Sequence, residues 1–122
     1  MELTDNERLV FAARAGNIEE IRLLIERGAD PNGPKDELGA PLFAALAASQ
    51  MAAVRSLLEW GASVSVIDRQ GDGPLEYSLH LQNDESTIDL LSHGARLNPH
   101  SKNTYRSLLE ETLKRLNAQT SD

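Results

Sequence analysis

The sequence predicts an all-α protein, a row of similar antiparallel helix pairs joined by short loops, and three observations carry that prediction. The segment LLIERGAD returns as LLEWGASV and then as LLSHGARL, which places Gly28, Gly61 and Gly94 two equal steps of 33 residues apart. A second landmark keeps the same step, with Pro41-Leu42 returning as Pro74-Leu75. Aromatic residues make up only 4% of the chain while alanine and leucine abound, a composition that suits small, closely packed helices rather than a sheet sandwich.

The elements follow in order. Thr4-Asp5-Asn6-Glu7 reads as a capping box that starts a first helix, in which Leu9, Ala12 and Ala13 form an apolar stripe with Phe11 beside it. Gly16-Asn17 makes a tight turn, and Asn17 caps a second helix with Glu20 reaching back. Ile18, Ile21, Leu24 and Ile25 define the buried side of that helix, and Glu19, Glu20, Arg22, Glu26 and Arg27 its wet side. Gly28 ends it, because the residue just past a last turn commonly adopts a left-handed conformation that glycine reaches at no steric cost. The second pair starts at Pro41 and runs through LFAALAAS. Its outer helix, about 50–60, buries Val54, Leu57 and Leu58 and ends at Trp60-Gly61. The third starts at Pro74, with an outer helix near 85–93 carrying Ile88, Leu90 and Leu91. Thr87 stands there in the place of Ile21 and Val54, which predicts a less stable helix. A last helix, about Tyr105 to Leu116, sets Leu108, Leu109, Leu113 and Leu116 against Glu110, Glu111, Lys114 and Arg115. Residues 117–122 are small and polar and are expected to fray.

A period of 33 with a Pro-Leu helix start and a Leu-Leu-x-x-Gly-Ala helix end resembles the ankyrin repeat. The resemblance covers about residues 5–116 and implies a solenoid of stacked helix pairs with hairpin-like finger loops at 29–40, 62–73 and 95–106. It divides a single domain, 1–116, into units of about 5–37, 38–70 and 71–103 and a cap at 104–116. Arg8 and Ser107 replace the proline at the two ends, as terminal units with a single neighbour permit. Asp68-Arg69-Gln70-Gly71 matches the family's Asp-x-x-Gly finger tip. In the earlier finger Lys35 replaces that Asp and the glycine moves to Gly39, so its tip is expected to differ in shape. Tyr77 and Ser78 replace smaller or apolar family residues, which puts tight packing of the third unit in question.

The family binds through the groove made by its finger tips and the exposed face of each first helix. Carried over by position, that pattern selects Arg14, Ala15 and Arg27, then Asp36, Glu37, Gly39, Ala47, Ala48 and Trp60. In the third unit it selects Arg69, Gln70, Asp72, His80, Leu81 and His93, and in the cap Lys102, Asn103 and Tyr105. The residues expected to touch a partner are Trp60, Arg69, Gln70, Asp72, Asp36, Glu37, His80, His93 and Tyr105, a mixture of charges and large side chains such as protein interfaces use. Trp60 stands out because Arg27 and His93 hold its place in the other units, so it is either a docking anchor or a ring resting on the adjacent finger near Val64 or Ile67. Tyr105 carries the same two readings.

The formal net charge of −7 argues against nucleic acid, whose phosphates need clustered Lys and Arg. Residues 36–68 carry four acids against one base and 69–101 five against two, so a basic protein partner is steered toward the middle units, or the acids simply keep the chain soluble. His80, His93 and His100 have no metal-site spacing, no cysteine is present, and neither a nucleophile elbow nor a phosphate loop appears. No enzyme, metal or cofactor is expected. No stretch approaches the ~20 apolar residues of a membrane span, and the N-terminus has charges where a secretory core would lie, so a cytoplasmic location is expected. The expected role is a non-enzymatic protein-binding module, monomeric when free, of which an inhibitor or immunity-type protein for a basic partner is one form. The alternative is a scaffold or assembly subunit that self-associates through Trp60, Leu81 or the cap.

Overall fold

A computed structural model describes residues 2–120. Seven helices and no strand are found among them: α1 Asp5–Ala15, α2 Ile18–Glu26, α3 Ala40–Ala47, α4 Met51–Glu59, α5 Pro74–Leu81, α6 Asp84–Ser92 and α7 Asn103–Thr120. Helices α1, α3, α5 and α7 form an inner row and α2, α4 and α6 an outer row. Each pair packs against the next, so the row is continuous. The final helix runs on past Leu116, where its apolar pattern stops, through Thr120; the remainder of the tail expected to fray, 121–122, lies outside the described residues.

The starts and stops have local causes. Thr4 accepts from the Glu7 N–H at 3.1 Å while the Glu7 carboxylate accepts from the Thr4 N–H at 3.0 Å, so both partners of the capping box are engaged. That pairing holds the Glu7 carboxyl below its ordinary range, chiefly through the Thr4 backbone bond. Asn17 and Asn83 cap α2 and α6 by accepting from Glu20 and Ser86 N–H groups. Gly28, Gly61 and Gly94 stand at φ 101, 103 and 86°, the left-handed turn expected after each outer helix. After the inner helices the same conformation falls on Gly16, Ser49 and Gln82, equivalent by the 33-residue step. Ser49 and Gln82 are there without glycine's freedom, at φ 56 and 57°.

The core is one seam of buried side chains running from Leu9, Ala13, Ile21 and Leu24 through Leu42, Leu46, Val54 and Leu57 to Leu75, Leu79 and Leu90. Two expectations need correcting. Ile88 is 46% exposed, because Ser86, Thr87 and Leu90 hold the buried line of α6. Leu113 is 42% exposed, because Thr112 takes the buried place in α7 with Leu108 and Leu109 half-buried beside it.

Packing in the third unit is retained by a chemical substitution. Where the second unit buries Ala45, Ala53 and Val54, the third buries Ser78, Ser86 and Thr87, each about the same size with a hydroxyl added. Ser78 Oγ lies 2.6 Å from Ser86 Oγ and 2.7 Å from Thr87 Oγ1. All three oxygens also lie 2.9–3.2 Å from the Asn83 carbonyl, and with one proton apiece the hydroxyls divide their donation between that carbonyl and one another. Three hydroxyls that would each be costly alone satisfy one another.

Candidate functional site

The finger loops form the walls of the site. In finger 2, Asp68 Oδ1 accepts from the N–H groups of Gln70 at 2.8 Å and Asp72 at 2.9 Å, and the Gly71 N–H returns to the Asp68 carbonyl at 3.0 Å. The sequence motif thus makes the turn expected of it and leaves Arg69 and Gln70 exposed at the tip. Finger 1 turns differently, as expected. Its Glu37 N–H bonds to the Pro34 carbonyl, and the Gly39 N–H to the Asn32 carbonyl at 2.8 Å. Gly39 stands at φ 89°, and a side chain there would begin 2.5 Å from Val66 Cγ2, so glycine is what lets finger 1 lie against finger 2.

Between these fingers and the inner helices opens a groove of about 940 Å³. Its floor is Val10 and Arg14 of α1, Phe43, Ala44 and Ala47 of α3, and Tyr77 of α5. Phe43 and Tyr77 meet edge to face, with ring centroids 5.7 Å apart and planes at 81°. Arg14 stacks over Phe11 at 5.6 Å, which holds its guanidinium at the edge. Leu38 of finger 1 and Ile67 of finger 2, both in the lining, are 51% and 57% exposed. Such large aliphatic side chains on loop tips cost hydration without helping the fold. The lining charges cancel: Arg14, Lys35 and Arg69 face Asp36, Glu37 and Asp68.

Four of the nine residues expected to touch a partner, Asp36, Glu37, Arg69 and Gln70, come together in this groove, with Arg14 and Ala47 of the wider selected set. Trp60, Asp72, His80, His93 and Tyr105 lie outside its lining. Trp60 ends α4 and packs, half-buried, against the core. Tyr105 donates its hydroxyl to Asp72 Oδ2 at 3.1 Å, tying the cap to finger 2. Burial first, then that bond and the charges of Asp72, Glu76 and Asp68, push the Tyr105 phenol above its ordinary pKa. His80 is exposed on α5, and His93 ends α6 with its Nδ1 2.8 Å from the Asp89 carbonyl. Sequence reasoning missed Leu38, Ile67, Phe43 and Tyr77 as groove residues. The signal available for the first two was an aliphatic residue set among charged loop positions.

Glu76 was missed as well. It is 1% exposed and braces finger 3, accepting from the Asn98 N–H at 2.8 Å and the Ser101 hydroxyl at 2.5 Å. The acidic excess lies elsewhere, on the outer row. Helices α2, α4 and α6 hold Glu19, Glu20, Glu26, Glu59, Asp84, Glu85 and Asp89 against Arg22 and Arg55. Arg55 bridges α4 to Glu85 and Asp89 of α6 at 3.2 and 3.6 Å. No group of three or more His, Cys, Asp or Glu able to hold a metal ion occurs among the described residues, and none of their helices is long and apolar enough to cross a membrane.

The sequence model of a family described as ankyrin repeats (3 copies) matches residues 9–103. The chain belongs to the ankyrin repeat family. Among curated proteins it is similar to the ARF GTPase-activating protein Git of Drosophila melanogaster, 34% identical over 84 residues, which is 68% of this chain and 11% of that protein. The likeness therefore concerns a small part of Git. Ankyrin repeats are general protein-protein interaction modules and typically non-enzymatic. The ankyrin stack here offers its groove between the first two fingers and the inner helices α1, α3 and α5.

Proposed function

We propose that this chain is a non-enzymatic binding module that holds a segment of a partner protein in the groove between the inner helices and fingers 1 and 2. The observation that carries this reading is the pair of exposed aliphatic residues, Leu38 of finger 1 and Ile67 of finger 2, in one lining with the Phe43–Tyr77 floor. A docked apolar side chain buries both at once, at roughly 25 cal/mol per Å² removed from water. Asp36, Glu37, Arg69 and Gln70 supply a polar rim that sets orientation.

A basic partner, as for an inhibitor or immunity-type protein, is drawn in by the acidic outer row and held by the charge-balanced groove. Salt then slows association while leaving dissociation nearly unchanged. A photo-crosslinking residue placed at Leu38 or Ile67, with exposed Leu23 of α2 as control, tests the site in the native source. The same partner band from both groove positions, absent from Leu23 and lost from the Leu38 position on Ile67→Asp and from the Ile67 position on Leu38→Asp, is the expected result. Equal crosslinking from Leu23 would refute the assignment.

A further inference from the structure

The helix α7 has properties that the groove does not use. At 18 residues it is more than twice as long as α3 and α5, which have 8 each. By the 33-residue step the inner helix of its unit would end near Lys114, as α5 ends at Leu81, so Arg115–Thr120 reach ~9 Å beyond the row. The Arg115–Asp84 ion pair fastens this extension to the start of α6. Leu113, 42% exposed, occupies the register of His80, Ala47 and Arg14, on the side of the inner row that faces the groove. Half-buried Leu109 stands one turn before it.

A lone exposed leucine needs no explanation. What distinguishes this one is the order of charge around it. Glu110 and Lys114 are exposed, one turn apart, and neither forms an ion pair with another described residue. When α7 is laid antiparallel on a second α7 about a two-fold axis at Thr112, Glu110 of each copy meets Lys114 of the other, with Leu109 and Leu113 alongside. A parallel arrangement sets like charges together at both positions. The sequence of charge is therefore self-complementary in one orientation only, as an isologous contact requires.

We propose that α7 is a self-association face, and that its occupant is a second copy of this chain packed antiparallel through Leu113, Glu110 and Lys114. One helix face buries less than the ~1,200 Å² of a stable standard interface, so the dimer is weak, with a Kd of roughly 10 μM to 1 mM. The contact lies at the cap, while the proposed docking groove lies between the first two fingers, so two grooves remain open in the dimer.

Sedimentation velocity over a concentration series tests this. Expected are a mass that rises toward twice the monomer, its loss in Leu113→Asp, and an about tenfold weakening in each of Glu110→Lys and Lys114→Glu. The decisive arm mixes the last two variants: Glu110→Lys with Lys114→Glu pairs opposite charges at both contacts and regains association that neither shows alone. A monomer at every concentration overturns the proposal, as does a dimer that Leu113→Asp leaves intact or a mixture that regains nothing. Partner crosslinking at Leu113 without self-association would instead extend the groove to the cap, and also overturn it. Leu38→Asp with Ile67→Asp leaves the dimer unchanged, so failure of the groove assignment and failure of this one are read separately.

Discussion

The hydroxyl cluster of the third unit makes a prediction that runs against simple addition. Ser78, Ser86 and Thr87 are 0–1% exposed and share the Asn83 carbonyl and one another as partners. Removing one hydroxyl leaves the other two with the carbonyl but one bond short, a loss of about 1 kcal/mol for each of Ser78→Ala, Ser86→Ala and Thr87→Val. Independent action would make the triple variant about 3 kcal/mol less stable. The triple variant, however, reproduces Ala45, Ala53 and Val54, an arrangement the second unit buries completely in the same register. Replacing all partners with apolar groups of the same shape leaves no orphan, so the triple variant should fall within about 1 kcal/mol of the parent. Urea unfolding followed by helical circular dichroism measures this, and 1 kcal/mol shifts Tm by about 3–5 °C in a chain of this size. A triple variant that loses the full sum of the singles would refute the reasoning, showing that the hydroxyls act separately.

Two further outcomes follow from single sites. The Tyr105 phenol is raised above its ordinary 10.0, so the neutral form is the one the fold favours; its contribution is complete below pH 10.0 and is lost as pH rises through the folded value. Unfolding profiles of the parent and Tyr105→Phe should therefore run parallel at neutral pH and converge above pH 10.0, and a constant offset throughout would contradict the Asp72 contact. Ser49→Gly and Gln82→Gly should each raise stability by about 0.5–1 kcal/mol, since relief of a left-handed residue outweighs glycine's greater freedom when unfolded. Thermal unfolding checks this, and a lowered Tm in both would show that their side chains hold the turn.

What could be read from the chain depended on how far away the cause lay. Thr4 and Glu7, Asp68 and Gly71, and the glycines after the outer helices act on backbone groups a few residues off, so their residue types announce them. The 33-residue step added the stacking, because each unit has to meet a copy of its own surface. Glu76 could not be read in this way. On its own helix it looks like a solvated acid of the first turn, and its burial is produced by Asn98 and Ser101 in a later finger. Leu113 failed for a related reason: spacing alone gives it to the apolar stripe, while the packed structure buries Thr112 beside it instead. The groove was legible in outline, since Asp36, Glu37, Arg69 and Gln70 lie where the repeat implies. Its apolar walls were not, because an aliphatic loop residue in sequence carries no sign of whether a neighbour covers it.

An asparagine side chain takes part in tying each finger back along the stack. Asn6 Oδ1 receives the Asp30 N–H at 2.8 Å, Asn32 Oδ1 the Ser63 N–H at 2.7 Å, and Asn98 Nδ2 reaches the Gly71 carbonyl at 3.3 Å. The position of finger 2 against finger 1 is thus set before anything arrives, and little freedom remains to be lost on docking. Encounter should then proceed as a rigid-body event, at the ~10⁵–10⁷ M⁻¹s⁻¹ of preformed surfaces, with no slow closing phase at any ligand concentration.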